Sequence, residues 1–346
     1  MPPIPTSGAV AAPTREDRVR AVRSDGRLVS LDRAAREPSP AAGEALIRPL
    51  RIGIGAADMH AFRNPAAFTG ILGHEAVGVV ERVNPLPGRE DHRKFEGARV
   101  VCSPTVVCGR CSLCRAGLSN HCRERTVMGL AGRDGCLADR FTLPVANLFA
   151  VPDSIDDEAA VFAEPLGSVL HAGLLAPIES KTYVTVLGDG PVALLAAQVM
   201  ARRNASVRLL GRHPDHFGLC EKWGVKHRHM DEAGRRQDQD IVLDCTGTAA
   251  GLDLALQFVR PRGTVILKAP PTGTGPAPGL DPARIIDAEL QLLGSRGSRI
   301  ADALLELEAG RVDVVSLITR RFRLDDALNA FAAAQEPGQV KVLVEV

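Results

Sequence analysis

The sequence predicts an α/β protein in which a doubly wound parallel sheet is inserted into a β-rich domain. Three observations carry that expectation. The runs YVTVLG, SVRLLG, DIVLDCTG, GTVILKA and LQLLGS, all after Pro152, are apolar and β-branched, as strands covered on both faces must be. Helix-length stretches such as PVALLAAQVMARR and TAAGLDLALQFVRP lie between them, and such alternation builds parallel sheets. The first strand also runs into VLGDGPVA, a glycine-rich turn opening a helix.

At 346 residues the chain exceeds what one hydrophobic core usually holds, so two domains are expected. Residues 1–18 contain four prolines and read as a disordered tail, without the charged-then-apolar order of a secretory signal. From 19 to 153 the runs EALIRPLRIGIG, EAVGVVERV, ARVVCSP and DRFTLPVANLFAVP are short and broken by Gly, Pro and Asn, which reads as β-rich. Residues 154–296 are expected to form the inserted α/β domain, with APPTGTGPAPG (269–279) as a surface loop, and 297–346 to rejoin the first domain.

Composition narrows the function. With 42 basic and 41 acidic residues the formal charge is +1, which gives no pull toward nucleic acid or an anionic membrane. Aromatic residues are 3% of the chain, too few for base-stacking platforms. No apolar run approaches the roughly 20 residues that span a bilayer. The expected partner is a small-molecule substrate, and the expected location is the cytoplasm.

In VLGDGPVA, Gly188 and Gly190 allow a tight turn and close approach to a pyrophosphate, with Pro191, Val192 and the small Ala193 opening the helix whose N-terminus stabilises the charge. About 20 residues on, an acid normally takes the adenosine ribose. Here Gly211, Arg212 and His213 stand in that region, and without an acid a 2′-phosphate can meet the guanidinium. NADP is therefore favoured over NAD. Thr246, ending another strand, is placed to touch the nicotinamide ribose.

Eight cysteines in a chain without a signal suggest metal ligands or buried thiols. Cys108, Cys111, Cys114 and Cys122, in CGRCSLCRAGLSNHC, are spaced to close a tetrahedral thiolate cage around a structural Zn²⁺, in a lobe at about 102–125. Cys102, Cys136, Cys220 and Cys245 read as small buried hydrophobes. His213, His216, His227 and His229 match no metal spacing and read as solvated surface. His171 reads as a core or cleft histidine.

With GILGHEAVGVVERV (70–83), the four-cysteine lobe, AEPLGSVLHA (163–172), VLGDGPVA and LDCTG (243–247), the chain resembles the zinc-containing medium-chain dehydrogenase/reductase family, the alcohol and polyol dehydrogenase group. The resemblance runs from about residue 19 onward. It implies a GroES-like catalytic domain around a Rossmann domain, and a homodimer or homotetramer. It also implies a catalytic zinc near the hydride-transfer site. Carried over by position, the zinc ligands are His74, Glu75 and Glu164, with Asp58 orienting His74 and His60 as an outer proton-relay group. The family's ligand Cys and relay Ser/Thr fall at Gly55 and Ala57. The expected activity is NAD(P)-dependent interconversion of an alcohol or polyol and a carbonyl compound, with structural zinc and a depleted catalytic zinc site. The alternatives are a zinc-independent reductase of conjugated carbonyls and an inactive dinucleotide-binding protein.

Overall fold

The computed structural model describes residues 18–203, 206–234, 236–269 and 282–346. The expected tail lies outside the described residues except for Arg18, which opens a strand, and so does nearly all of the 269–279 loop. In chain order, the elements that build the site begin with β1 (Glu44–Ile54), α1 (Ala56–Arg63), β2 (Glu75–Asn84), β3 (Arg99–Cys102) and β4 (Leu148–Ala150). Next come α2 (Ala163–Ala172), β5 (Val184–Leu187), α3 (Pro191–Arg203), β6 (Val207–Gly211), β7 (Lys226–His229), β8 (Gln239–Asp244), α4 (Ala249–Phe258), β9 (Val259–Leu267) and β10 (Gln291–Gly294). The chain closes with α5 (Ile300–Glu308), β11 (Ile318–Arg323) and β12 (Lys341–Glu345).

The parallel sheet has the order β7-β6-β5-β8-β9-β10. All five strands anticipated from sequence are present, and β5 is wholly buried between helices, as its continuous apolar run requires. The sixth strand, β7, reads KHRH, with alternating exposed and half-buried side chains. It is a basic edge strand and carries no apolar signal, which is why sequence reasoning passed over it. Helix α3 buries Ala193 to Met200 against the sheet, and Thr248 caps α4 by accepting from the Gly251 amide at 3.0 Å.

The other large sheet runs β4-β3-β2-β1-β12-β11, with Phe141–Pro144 also pairing with β1. It is antiparallel apart from the β11–β12 pair. Its register positions the site. Gly53 on β1 faces Glu75 on one side and Leu343 of the C-terminal strand on the other. Beyond β1 the segment AADMHAFR forms helix α1. Gly55 is its N-cap, and its amide donates to Asp58 Oδ2 at 2.9 Å, so the acid three residues on closes the first turn.

Among the described residues no helix is long and apolar enough to cross a membrane. The chain that delivers His74 is itself clamped, because the Gly135 amide donates to the Ile71 carbonyl at 2.7 Å. A Cβ on Gly135 would press on the carbonyl oxygens of Leu72 and Gly73. Gly135→Ala is therefore expected to destabilise the protein by about 1–3 kcal/mol through overpacking. Scanning calorimetry should show the transition lowered by several degrees; an unchanged transition would count against this packing.

Candidate active site and metal centres

The bare stretch Gly53–Ala57 makes room for a buried ion pair. Lys341, 1% exposed, donates its ammonium to Glu75 Oε2 across the strand that carries Gly53. A Cβ on Gly53 would stand 2.7 Å from both Glu75 Oε2 and Lys341 Cε. One on Gly55 would stand 2.5 Å from Glu75 Oε1 and 3.2 Å from His74 Cε1. The Lys341 ammonium also lies 5.7 Å above the ring centre of Phe162. Sequence reasoning missed Lys341, although a lysine opening the apolar strand KVLVEV was the available signal.

Around this pair the expected ligands converge. Asp58 is fully buried and accepts from His74 Nδ1 at 3.0 Å, which leaves His74 Nε2 as a lone-pair donor. Glu75 Oε1 lies 3.8 Å from that nitrogen. One ligand atom each from His74, Glu75 and Glu164 falls within 4.8 Å of the others, so the set fits a metal ion with nitrogen and carboxylate ligands. Burial opposes protonation of His74, but Asp58, and then Glu75 and Glu164, outweigh it and raise its pKa to about 9. Burial likewise raises the pKa of Glu164, against the opposing pull of His74. Any metal captured here must displace the His74 proton. His60, by contrast, has Asn64 as its neighbour, with Nδ1 at 3.5 Å from the amide nitrogen, and does not join the cluster.

In the cysteine lobe the four Sγ atoms lie within 4.8 Å of one another, with Cys108 to Cys122 at 3.5 Å and Cys111 to Cys122 at 4.0 Å. A tetrahedral zinc–thiolate site, with Zn–S bonds of about 2.3 Å, requires sulfur separations near 3.8 Å. Two amides already donate to sulfur at 3.4 Å, Cys108 N to Cys122 and Cys111 N to Cys108. The amides of Cys114 and Arg123 bring the Cys111 thiol down to about 6. These features suit a thiolate-bound ion. Of the other cysteines, Cys102, Cys136 and Cys220 are buried as expected, whereas Cys245 is half-buried at the edge of the parallel sheet.

At the dinucleotide crossover, Gly188 has φ of +105°, which demands glycine, and a Cβ on Gly190 would meet nothing within 4 Å. That open cradle at the start of α3 fits a pyrophosphate. Two expectations nearby need correction. An acid does stand at the β6 turn, because Asp189 of the glycine loop fills the space under Gly211, whose Cβ would lie 2.5 Å from Asp189 Oδ2. Asp189 Oδ2 accepts from the amides of Arg212 and His213 at 2.7 and 2.6 Å, and His213 Nδ1 lies 3.0 Å from Oδ1. His216 is not solvated surface but 5% exposed, with Nδ1 donating to the Asp189 carbonyl at 2.9 Å. Thr246 is held in a turn, its amide and hydroxyl both donating to Asp244 Oδ1.

Comparison with known proteins agrees with this architecture. Residues 41–153 match the alcohol dehydrogenase GroES-like domain. The chain is 29% identical over 333 residues to an L-threonine 3-dehydrogenase of Chelativorans sp. (strain BNC1), covering 90% of this chain and 94% of that protein. It is 28% identical over 331 residues to an L-idonate 5-dehydrogenase of Vitis vinifera, covering 88% and 89%. A zinc-binding dehydrogenase-type protein from Sinorhizobium meliloti 1021, solved with NADP, superposes with a TM-score of 0.84 at 27% identity, over 95% of this chain and 99% of that one. The fold and its glycine-rich crossover define a dinucleotide-dependent oxidoreductase. Over nearly its whole length the chain is similar to zinc-binding dehydrogenases of the alcohol and polyol dehydrogenase-like type.

Removing one partner of a buried ion pair strands the other. Lys341→Met is expected to cost the metal-free protein about 3–5 kcal/mol in urea unfolding with chelator present. Added zinc should return part of that loss, because a bound cation would then answer the charge of Glu75 in place of Lys341. A variant as stable as the wild type would mean that Glu75 takes up a proton at little cost. Cys111→Ser should remove one zinc per chain and loosen the lobe while sparing dinucleotide binding. A stable wild-type protein free of zinc would overturn the structural assignment.

Proposed function

We propose that the protein interconverts a secondary alcohol or polyol and the corresponding carbonyl compound by hydride transfer, using NADP and a metal ion held by His74, Glu75 and Glu164 without a thiolate. The observation that carries this reading is the convergence of those three side chains around a histidine whose far nitrogen is held by Asp58. When bound, the metal polarises the reacting oxygen and the dinucleotide exchanges the hydride.

The remaining work falls to the chain. Asp58 fixes the tautomer and orientation of His74. Lys341 holds Glu75 by one oxygen and leaves the other turned toward His74. Gly188 and Gly190 admit the pyrophosphate. Arg212 and His213 stand at the turn expected to meet the adenosine end, where the Asp189 oxygens are engaged by backbone amides and the His213 ring. Ala57 offers no hydroxyl for proton transfer, so simple alcohols should be oxidised slowly. The structural zinc, a homodimeric or homotetrameric assembly and a cytoplasmic location complete the proposal.

The test is NADP-coupled turnover of a panel of polyols, by protein stripped of metal and then reloaded with zinc. Loss of activity on stripping and its return on reloading is the expected result. Full activity in stripped protein would favour a second reading, metal-independent reduction of conjugated carbonyls. The pairing of Glu75 with Lys341, which satisfies that carboxylate without a metal, speaks for it. For the cofactor, a charge-assisted contact from Arg212 to a 2′-phosphate is worth about 1.5–3 kcal/mol. Arg212→Ala should weaken NADP binding by about ten- to a hundredfold and leave NAD nearly unchanged. Equal losses for both, or a wild-type preference for NAD, would overturn the assignment.

A further inference from the structure

Helix α2 exposes a narrow polar stripe. Of its ten residues, Glu164, Ser168 and His171 are half-buried and the other seven are buried. The spacing of four and then three places them on one helix face. Glu164 belongs to the metal-ligand cluster, so the stripe leads away from the reacting centre, with Ser168 about 6 Å further along the helix axis.

Over Ser168 stands a second lysine of the molecule's interior. Lys268 follows β9 directly, and its amide donates to the Asp244 carbonyl at 2.9 Å. It thus sits at the carboxyl edge of the parallel sheet, where ligands of this fold bind. Its ammonium donates to Ser168 Oγ at 2.6 Å. Among the described residues it makes no ion pair, in contrast to Lys341, whose charge Glu75 answers at hydrogen-bond distance. Burial lowers the pKa of Lys268 against the opposing influence of Glu164, and Lys268 and Arg299 in turn help burial lower that of His171. At the far end a Cβ on Gly297 would stand 2.5 Å from Asn120 Nδ2 and 3.2 Å from His171 Nε2, so both groups crowd that glycine. This face of α2 therefore has a carboxylate at the reacting end, and an ammonium, a hydroxyl, an amide and an imidazole further along it.

We propose that Lys268, seated on Ser168, binds an anionic group of the substrate, so that the natural substrate is an acidic alcohol carrying a carboxylate or a phosphate ester a few carbons from the reacting carbinol. A half-buried ammonium with a neutral partner has a desolvation cost that an incoming oxyanion offsets. A neutral polyol leaves that cost standing. The ligand class rests on the proposed alcohol chemistry, while Lys268 as an anion site can be tested by binding alone.

Three probes with related carbon skeletons decide the matter: sorbitol, L-idonate, which carries a carboxylate, and sorbitol 6-phosphate. Each is titrated calorimetrically into NADPH-loaded wild-type protein, Lys268→Met and Lys268→Arg, with thermal melts to confirm folding. The wild type is expected to bind at least one anionic probe about tenfold or more tightly than sorbitol, and the preferred probe separates carboxylate from phosphate. Lys268→Met should remove about ten- to a hundredfold of that affinity and leave sorbitol within about twofold, while Lys268→Arg keeps the preference. Equal binding of charged and neutral probes, absence of binding by either anion, or a Lys268→Met effect confined to NADPH would overturn the proposal. Charge discrimination without turnover of any alcohol would leave the anion site standing and remove the proposed alcohol chemistry.

Discussion

The active site is organised around one buried ion pair, Glu75 with Lys341. Both residues are almost fully removed from water, and the pair bridges the strand after the GHE motif and the last strand of the chain. Taking two charges out of water is costly, and the cost is met when geometry is good and neighbouring atoms do not intrude. Gly53 and Gly55 satisfy that condition, since a side chain at either would occupy space held by the pair. Closure of the C-terminal strand onto β1 and assembly of the metal-ligand cluster are for this reason one event. A chain lacking its last strand would leave Glu75 buried and unpaired beside His74.

A second economy lies in Asp58, which joins local structure to electrostatics. One carboxylate oxygen closes the first turn of α1 through the Gly55 amide, and the other fixes the His74 ring. The helix start and the ligand orientation are thereby set by one side chain. Together Asp58, Glu75 and Glu164 bring three acids around one imidazole, with one ammonium paired to them directly. That balance raises the His74 pKa.

Much of this could be read from residues alone, and the boundary has physical reasons. The parallel strands were legible because burial on both faces requires continuous β-branched runs, and the cysteine lobe because four thiolates on one ion require short loops. The strand KHRH was not legible, since an edge strand can be polar throughout. Asp189 and Lys341 were missed for a shared reason: each acts on a residue far away in sequence, through space left by a glycine. Asp189 fills the volume of Gly211, and Lys341 crosses Gly53. A glycine in sequence declares that space is needed, but which side chain enters it is decided by the register of strands that meet only on folding.

The same reasoning changes the meaning of the missing thiolate ligand. If Gly55 were a simple deletion, a cysteine there would drop back beside His74. The Gly55 backbone is no obstacle, with φ at −99°. The obstacle is Glu75, whose Oε1 already stands 2.5 Å from the position of the new Cβ. A thiolate could return only if that carboxylate withdrew, and Lys341 holds it in place through the other oxygen. Gly53, Gly55, Glu75 and Lys341 therefore form a coupled set in which no member changes independently. Were a metal held there, its donor would be a hard oxygen where the family pattern has a soft sulfur, which would shift the ions favoured.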